Sequence, residues 1–146
     1  MKKIIPFNKP FISNKSKIYM KKAYDSGNHC GNKYWTEKVI NLVRKQYDFG
    51  ETFLVPSCTA ALEMGVMLVG IKPGDEVIIP SYTFSSTANS VLIFGGIPVF
   101  CDINPSTLNI DPDKIEKLIT KKTKLIIPID YAGVPCEINK IKKIAK

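Results

Sequence analysis

The sequence predicts an α/β protein in which helices cover a mostly parallel sheet. Apolar runs without polar alternation recur along the chain, a helical pattern follows each run, and turn residues separate the two. Strands without polar alternation are typical of parallel sheets that are buried on both faces. The 146 residues, of which 45% are hydrophobic and 23% charged, are enough to bury a substantial core.

Strands and helices are predicted to alternate from residue 52 onwards. The predicted strands are 52–55, 76–80, 98–103 and 124–130, and the predicted helices are 59–69, 88–94, one from residue 112 and a basic one from residue 137. Asp111 followed by Pro112 is a strong helix start. The helix over 59–69 is apolar nearly all round, which predicts burial on most sides. Gly65 inside it costs about 1 kcal/mol relative to alanine, which predicts close packing against another backbone.

Residues 1–50 have a different organisation: we expect an extended segment and helices there, and the first, incomplete part of the α/β domain in residues 51–146. Pro6 and Pro10 predict an extended start. A helix is predicted from Ser13 or Asn14 to about residue 24, and a second one from Thr36. Between them, residues 26–32 form a glycine-bearing loop with little apolar content, which suits a ligand or a partner chain better than a core.

The net charge of +8 is unevenly distributed. Residues 51–111 carry one basic and six acidic side chains, whereas the lysines and Arg44 concentrate in the two terminal parts. No nucleic-acid-binding module or interleaved aromatic platform accompanies them, so we expect solvated helix faces and no nucleic-acid partner. No apolar run is long enough to cross a bilayer, and residues 1–10 lack the apolar core of a secretory signal. These features predict a cytoplasmic protein without a membrane partner.

The four cysteines do not predict a metal site. They are scattered along the chain, no pair forms a C-x-x-C motif, and His29 is the single histidine. Reduced thiols are the expectation for a cytosolic protein. We therefore predict no metal ligands.

The corner at residues 56–59 is the strongest candidate for chemistry. Ser57 is a good N-cap for the helix that follows, and the free amides of a first turn form a seat for a phosphate group. A helix cap in an ordinary α/β core explains the same residues. The chain contains neither a Walker A nor a G-x-G-x-x-G motif, so a nucleotide fingerprint is absent. One loop away, Tyr82 or Phe84 could cover a flat ring.

Several sequence blocks, in the same order, resemble the DegT/DnrJ/EryC1/StrS family of sugar aminotransferases. The blocks are Ile-Pro-Phe-Asn-Lys-Pro at 5–10, Pro-Ser-Cys-Thr-Ala-Ala-Leu-Glu at 56–63, Pro-Gly-Asp-Glu-Val-Ile-Ile-Pro-Ser-Tyr-Thr-Phe at 73–84, Ser-Thr-Ala-Asn at 86–89 and Tyr-Ala-Gly at 131–133. The resemblance runs through essentially the whole chain but covers only the N-terminal part of such enzymes. It implies a truncated portion of the fold type I fold of transferases that depend on pyridoxal 5′-phosphate (PLP).

The resemblance also assigns roles to individual residues. Cys58 and Thr59 match the corner that holds the cofactor phosphate, and Phe84 matches the aromatic residue on the pyridine ring. The substrate-contacting residues that it implies are Asn8, Cys30, Gly31 and Ser57. The resemblance also implies homodimers in which some of the loop residues serve the neighbouring subunit. Asp130 departs from the family pattern, which usually has histidine before Tyr-x-Gly.

The activity implied is the transfer of an amino group from glutamate to a dTDP-4-keto-6-deoxyhexose, giving an amino sugar for surface polysaccharide. Transamination needs a Schiff-base lysine and a carboxylate at the ring nitrogen. The family has both later in its sequence, so we expect them beyond residue 146 and expect this chain alone to be inactive and poorly soluble. The chain is then part of a longer enzyme, a truncated product or half of a split one. Two alternatives remain, a PLP-dependent sugar dehydratase of the same fold and a non-catalytic remnant.

Overall fold

The structure, a computed structural model, describes residues 4–6 and 8–146 and divides into two compact units. The first unit ends at Leu54 and the second runs from Val55 to Lys146. The predicted extended conformation of Phe7 lies outside the described residues. Within those residues, no helix combines the length and the apolar character that crossing a membrane requires.

The first unit contains two helices, α1 (Asn14–Asp25) and α2 (Tyr34–Tyr47). Ser13 caps α1, its hydroxyl accepting a hydrogen bond from the amide of Ser16 at 3.1 Å, which confirms the predicted start. Helix α2 begins two residues before the predicted Thr36, because Lys33 already adopts the extended N-cap conformation and its carbonyl accepts from Glu37 at 3.0 Å. Neither helix has a buried residue.

The strand predicted over residues 52–55 is wrong, since this segment has no regular secondary structure. Phe53 and Leu54 are 68% and 45% exposed. A strand needs a neighbour to pair its amides and carbonyls, and none of the described strands lies beside this segment. The apolar run alone was therefore insufficient evidence for a strand.

The second unit is built on a parallel sheet of three strands, β1 (Glu76–Pro80), β2 (Ile97–Cys101) and β3 (Thr123–Ile126), in the order β2-β1-β3. The central strand β1 coincides with its prediction. Strand β3 ends before the predicted residue 130, because one further bond from Ile127 to Ile78 is followed by Pro128, which has no amide to donate. Strand β2 likewise ends at Cys101, and Ile103 forms only an isolated bridge with Ile110.

Four helices accompany this sheet: α3 (Cys58–Val69), α4 (Ser86–Leu92), α5 (Pro112–Ile115) and α6 (Ile138–Ile144). Asp111 caps α5 as predicted, its carboxylate accepting from the amide of Asp113 at 3.1 Å. This helix is a single turn that continues as a 3-10 turn over Glu116–Leu118. The alternation of strand and helix confirms the α/β fold with flanking helices.

The side chains of β1 alternate between two apolar clusters, one on each face of the sheet. Ile78 packs with residues from α5 and α6, including Ile115 and Ile141. Val77 and Ile79 pack with α3 and α4 on the opposite face. A parallel strand with both faces covered produces this pattern, so the core lies on both sides of β1.

Helix α3 is much less buried than predicted. Val66 is its one buried residue, whereas Leu68 and Met67 are 72% and 56% exposed. A Cβ atom built on Gly65 would meet nothing within 4 Å, so the predicted close backbone contact is absent among the described residues. The physical reason is that α3 packs mainly against α4 and, through Val66, against Val77 and Ile79, which leaves its other faces exposed.

Candidate functional site

The corner before α3 has the geometry of a capped helix N-terminus. Ser57 is extended, with φ −157° and ψ 160°, and its hydroxyl accepts a hydrogen bond from the amide of Ala60 at 3.1 Å. The Ser57 carbonyl accepts from Ala61 at 3.2 Å. Ser57 therefore has the predicted capping role, and its proposed contact with substrate stays a prediction.

Two backbone amides at this corner remain available. Within residues 4–6 and 8–146, no acceptor is hydrogen-bonded to the amide of Cys58 or of Thr59. Unpaired first-turn amides and the positive end of the helix dipole favour an anion at this position. The donor set and the absence of a competing acceptor fit a phosphate group.

Thr59 and Phe84, predicted on separate loops, line one open cavity of about 460 Å³. The aromatic ring of Phe84 is on the segment that follows β1, and the residue is 75% exposed. The other lining residues are Glu63, Ser85, Ser86, Asn89, Leu92 and Ile93. The fold thus brings the predicted phosphate corner and the predicted ring cover to the same cavity. Their role in cofactor binding is still a prediction.

Sequence reasoning assigned no role to Glu63 or Asn89, although both line this cavity. Glu63 lies one helical turn after Thr59 in α3, and Asn89 lies one turn after Ser85. Residues four apart share a helix face, so this spacing was a signal from which both could have been found. Cys58, in contrast, lines a separate cavity of about 220 Å³ with its neighbours in α3 and Ile127.

The segment that carries Phe84 is anchored on both sides. The amide of Ser81 donates to the carbonyl of Cys101 at 2.7 Å, and the hydroxyls of Thr83 and Thr87 lie 2.9 Å apart. Between these anchors, the hydroxyl of Tyr131 donates to that of Tyr82 at 3.1 Å, and the ring centroids are 4.9 Å apart. This hydrogen bond raises the pKa of Tyr131 above its ordinary value.

Asp130, at the position where the family pattern usually has histidine, lies in the turn after β3 and has a structural role there. Its carboxylate accepts a hydrogen bond from the amide of Cys136 at 2.8 Å. The thiol of Cys136 donates to the carbonyl of Ile129 at 3.0 Å. Burial, followed by the hydrogen bond to Asp130, raises the pKa of Cys136 to about 11. Asp130 therefore stabilises the turn by a hydrogen bond between its side chain and the backbone of Cys136.

The first unit has a cavity of its own, of about 480 Å³. Cys30 lines it together with His29, Tyr34 and other residues between Ala23 and Thr36. Asn8 is exposed, and a Cβ atom on Gly31 would meet nothing within 4 Å. The proposed substrate contacts of Asn8, Cys30 and Gly31 stay predictions. In the described part of the chain, no group of three or more His, Cys, Asp or Glu side chains could hold a metal ion.

The fold and the corner at Thr59 together define an α/β protein with two backbone amides, unpaired among the described residues, at the start of a helix, a geometry that fits an anion. A comparison with family profiles identifies it further, because the DegT/DnrJ/EryC1/StrS aminotransferase family matches residues 39–146. The chain belongs to this family, whose members depend on PLP.

Characterised sequences support the assignment. The chain is 35% identical over 148 residues to the spore coat polysaccharide biosynthesis protein SpsC of Bacillus subtilis, a match that covers 97% of this chain and 36% of SpsC. It is 44% identical over 110 residues to the 3-oxo-glucose-6-phosphate:glutamate aminotransferase of the same organism, covering 75% of this chain and 24% of that enzyme. The chain therefore spans about a third or less of the length of these relatives.

Solved structures have the same fold. NtdA from Bacillus subtilis with bound pyridoxamine phosphate (PMP) superposes with a TM-score of 0.84 at 34% identity, covering 92% of this chain and 32% of NtdA. An aminotransferase from Psychrobacter cryohalolentis gives a TM-score of 0.88 at 28% identity, covering 96% of this chain and 36% of its own. The small parallel sheet with its helices is thus part of the PLP-dependent aminotransferase fold.

Proposed function

We propose that this chain supplies the cofactor phosphate site of a PLP-dependent aminotransferase that acts on a nucleotide sugar. The amino donor is glutamate and the acceptor a dTDP-4-keto-6-deoxyhexose; the sequence blocks resemble those of dTDP-4-amino-4,6-dideoxygalactose transaminase. The product is an amino sugar for surface polysaccharide. The observation that carries the proposal is the shared cavity of Thr59 and Phe84 beside two unpaired amides.

The residues divide the work of holding the cofactor. The amides of Cys58 and Thr59 and the hydroxyl of Thr59 bind the phosphate oxygens, and the dipole of α3 supports their negative charge. The ring of Phe84 covers one face of the pyridine and excludes water from it. When bound, the cofactor supplies an electron sink for the carbon atom that loses its proton. Asn8, Cys30, Gly31 and Ser57 are assigned to the nucleotide sugar.

Covalent attachment of the cofactor is assigned to a lysine outside residues 1–146. No lysine is among the residues that line the cavity at Thr59, and the chain spans only about a third of SpsC. We therefore propose that the chain alone binds the cofactor without turnover, and that the complete enzyme works as a homodimer. We place the reaction in the cytosol, as the sequence predicts.

The test is the affinity of the 146-residue chain for PMP, which needs no Schiff-base lysine, measured by equilibrium dialysis. Thr59→Val keeps the shape but removes the hydroxyl, and a hydrogen bond to a charged group contributes about 1.5–3 kcal/mol. We expect PMP to bind about tenfold more weakly or worse. Affinity for pyridoxamine, which lacks the phosphate, should not change.

Thr52→Val is the matched control, because the Thr52 hydroxyl donates only to the carbonyl of Gly50 at 3.3 Å. This variant should bind PMP like the wild type. If the wild-type chain does not distinguish PMP from pyridoxamine, or if Thr59→Val weakens both equally, the phosphate site is wrong. A chain that binds neither compound is instead a non-catalytic remnant.

A further inference from the structure

Asn109 is a buried polar side chain that the proposed function leaves unused. It is 4% exposed, and both ends of its amide are satisfied by one distant turn. Its Oδ1 accepts from the amide of Tyr131 at 2.9 Å, and its Nδ2 donates to the carbonyl of Val134 at 2.8 Å. These partners are 22 and 25 residues away along the chain. Asn109 therefore ties together the beginning and the end of the 3-10 turn Tyr131–Gly133.

This turn needs external support because its own backbone is unfavourable. Ala132 has φ 51° and Gly133 has φ 81°, both in the left-handed region. A non-glycine residue such as Ala132 is uncommon there. The bond that Asn109 accepts from Tyr131 and the bond that it donates to Val134 hold the turn on either side of these residues, so that the position of Tyr131 is fixed.

Tyr131 in turn contacts Tyr82, between the two bonds that anchor the segment at Ser81 and at Thr83. Their hydroxyls are 3.1 Å apart and their ring centroids 4.9 Å apart. Tyr82 is two residues before Phe84, which lines the cavity with Thr59. A continuous series of contacts therefore connects Asn109 to the segment that covers this cavity.

We propose that Asn109 is a positioning residue of the cofactor site: by holding the turn at Tyr131 it fixes Tyr82 and thereby places Phe84 over the cavity. The inference rests on the proposed function for the identity of the ligand. Asn109 does not contact the cofactor and acts entirely through the two tyrosines. Hydrogen-bonded networks of this kind couple their members, so single substitutions within one are not independent.

The first measurement does not involve the cofactor. NMR of protein labelled with ¹³C at tyrosine Cζ follows the ionisation of each hydroxyl, and Tyr131→Phe assigns the Tyr131 signal. In the wild type the bond to Tyr82 raises the pKa of Tyr131. Asn109→Ala should return the pKa of Tyr131 to the ordinary range, and Tyr82→Phe should do the same. The control Asn139→Ala, at an exposed position of α6, should leave it raised.

The second measurement is a double-mutant cycle on PMP affinity. We expect Asn109→Ala to weaken binding about tenfold and Tyr131→Phe about threefold. The double variant should be no weaker than Asn109→Ala alone, since both changes break the same connection. If Asn109 had only a structural role, the folded fraction of Asn109→Ala would bind PMP like the wild type, or the losses of affinity in the two single variants would multiply in the double variant. Either result overturns the proposal.

The outcomes separate this proposal from the proposed function. If the wild-type chain does not bind PMP, the proposed function and the cofactor part of the inference both fail, while the NMR titration still decides whether Asn109 positions Tyr131. If Asn109→Ala does not fold, Tyr131→Phe and Tyr82→Phe still test the connection through partly exposed hydroxyls. PMP affinity equal to that of the wild type in both tyrosine variants overturns it.

Discussion

The two units of this protein use their apolar residues in different ways. Every buried residue among those described belongs to the second unit, whereas α1 and α2 of the first unit contain none. Both units nevertheless have capped helices and a cavity of similar volume, about 480 Å³ in the first and about 460 Å³ in the second. Helix caps and the local sequence pattern thus specify individual helices, whereas a buried core requires contacts between residues that are distant in the sequence.

The largest expected difference between the two units is the loss of stability when one apolar side chain is truncated. Ile78 is fully buried in the central strand, so Ile78→Ala should lower the free energy of unfolding by about 2–5 kcal/mol. Ile18 is 54% exposed in α1, and Ile18→Ala should change it by less than about 0.5 kcal/mol. Urea unfolding followed by circular dichroism measures both. Equal effects of the two substitutions would contradict the difference in burial.

The thiols of the two units should differ in their effect on alkaline stability. The pKa of Cys136 is raised from 9.0 to about 11, first by burial and then by Asp130. The folded protein therefore retains this proton more strongly than the unfolded chain does. The free energy of unfolding should fall as pH rises from about 9 to about 11. Below about pH 9 the stabilisation that comes from the protonated Cys136 thiol is fully present.

Urea unfolding at several pH values tests this, with Cys136→Ala compared against Cys30→Ala. Removal of the buried Cys136 thiol should reduce the decrease in the free energy of unfolding at alkaline pH. Removal of Cys30, which is exposed in the first unit, should leave this decrease unchanged. Parallel pH curves for wild type and Cys136→Ala would show that another group is responsible.

The smallest expected difference concerns two helix caps with the same hydrogen-bond length and spacing. Ser13 and Ser57 each accept a hydrogen bond at 3.1 Å from the amide three residues later. Loss of either cap by substitution with alanine costs about 1 kcal/mol. Because α3 packs on the core through Val66, Ser57→Ala should lower the global stability of the second unit, whereas Ser13→Ala should accelerate amide exchange only in α1.

Hydrogen exchange measured by mass spectrometry distinguishes these results. Replacement by glycine, which costs a cap only a few tenths of a kcal/mol, is the matched control at both positions. Faster exchange throughout the second unit in Ser13→Ala, or only in the first turn of α3 in Ser57→Ala, would contradict the expectation.

The sequence by itself determined the features that depend on neighbouring residues. Ser13, Ser57 and Asp111 cap the helices they were predicted to cap, and the apolar run of 76–80 is strand β1. The reason is that a cap is a contact between residues two or three apart, and a strand buried on both faces needs an uninterrupted apolar run. The order of the sequence blocks also indicated the family correctly.

Only the tertiary structure decided which predicted elements form and which residues meet. Residues 52–55 have an apolar pattern but no strand beside them, and the apolar surface of α3 lacks a cover on most sides. Asn109 forms hydrogen bonds with Tyr131 and Val134, which are more than twenty residues away in the sequence. No local sequence pattern predicts these two bonds. Strand pairing and buried polar bonds depend on the chain's path through space, which periodicity and spacing along the sequence do not contain.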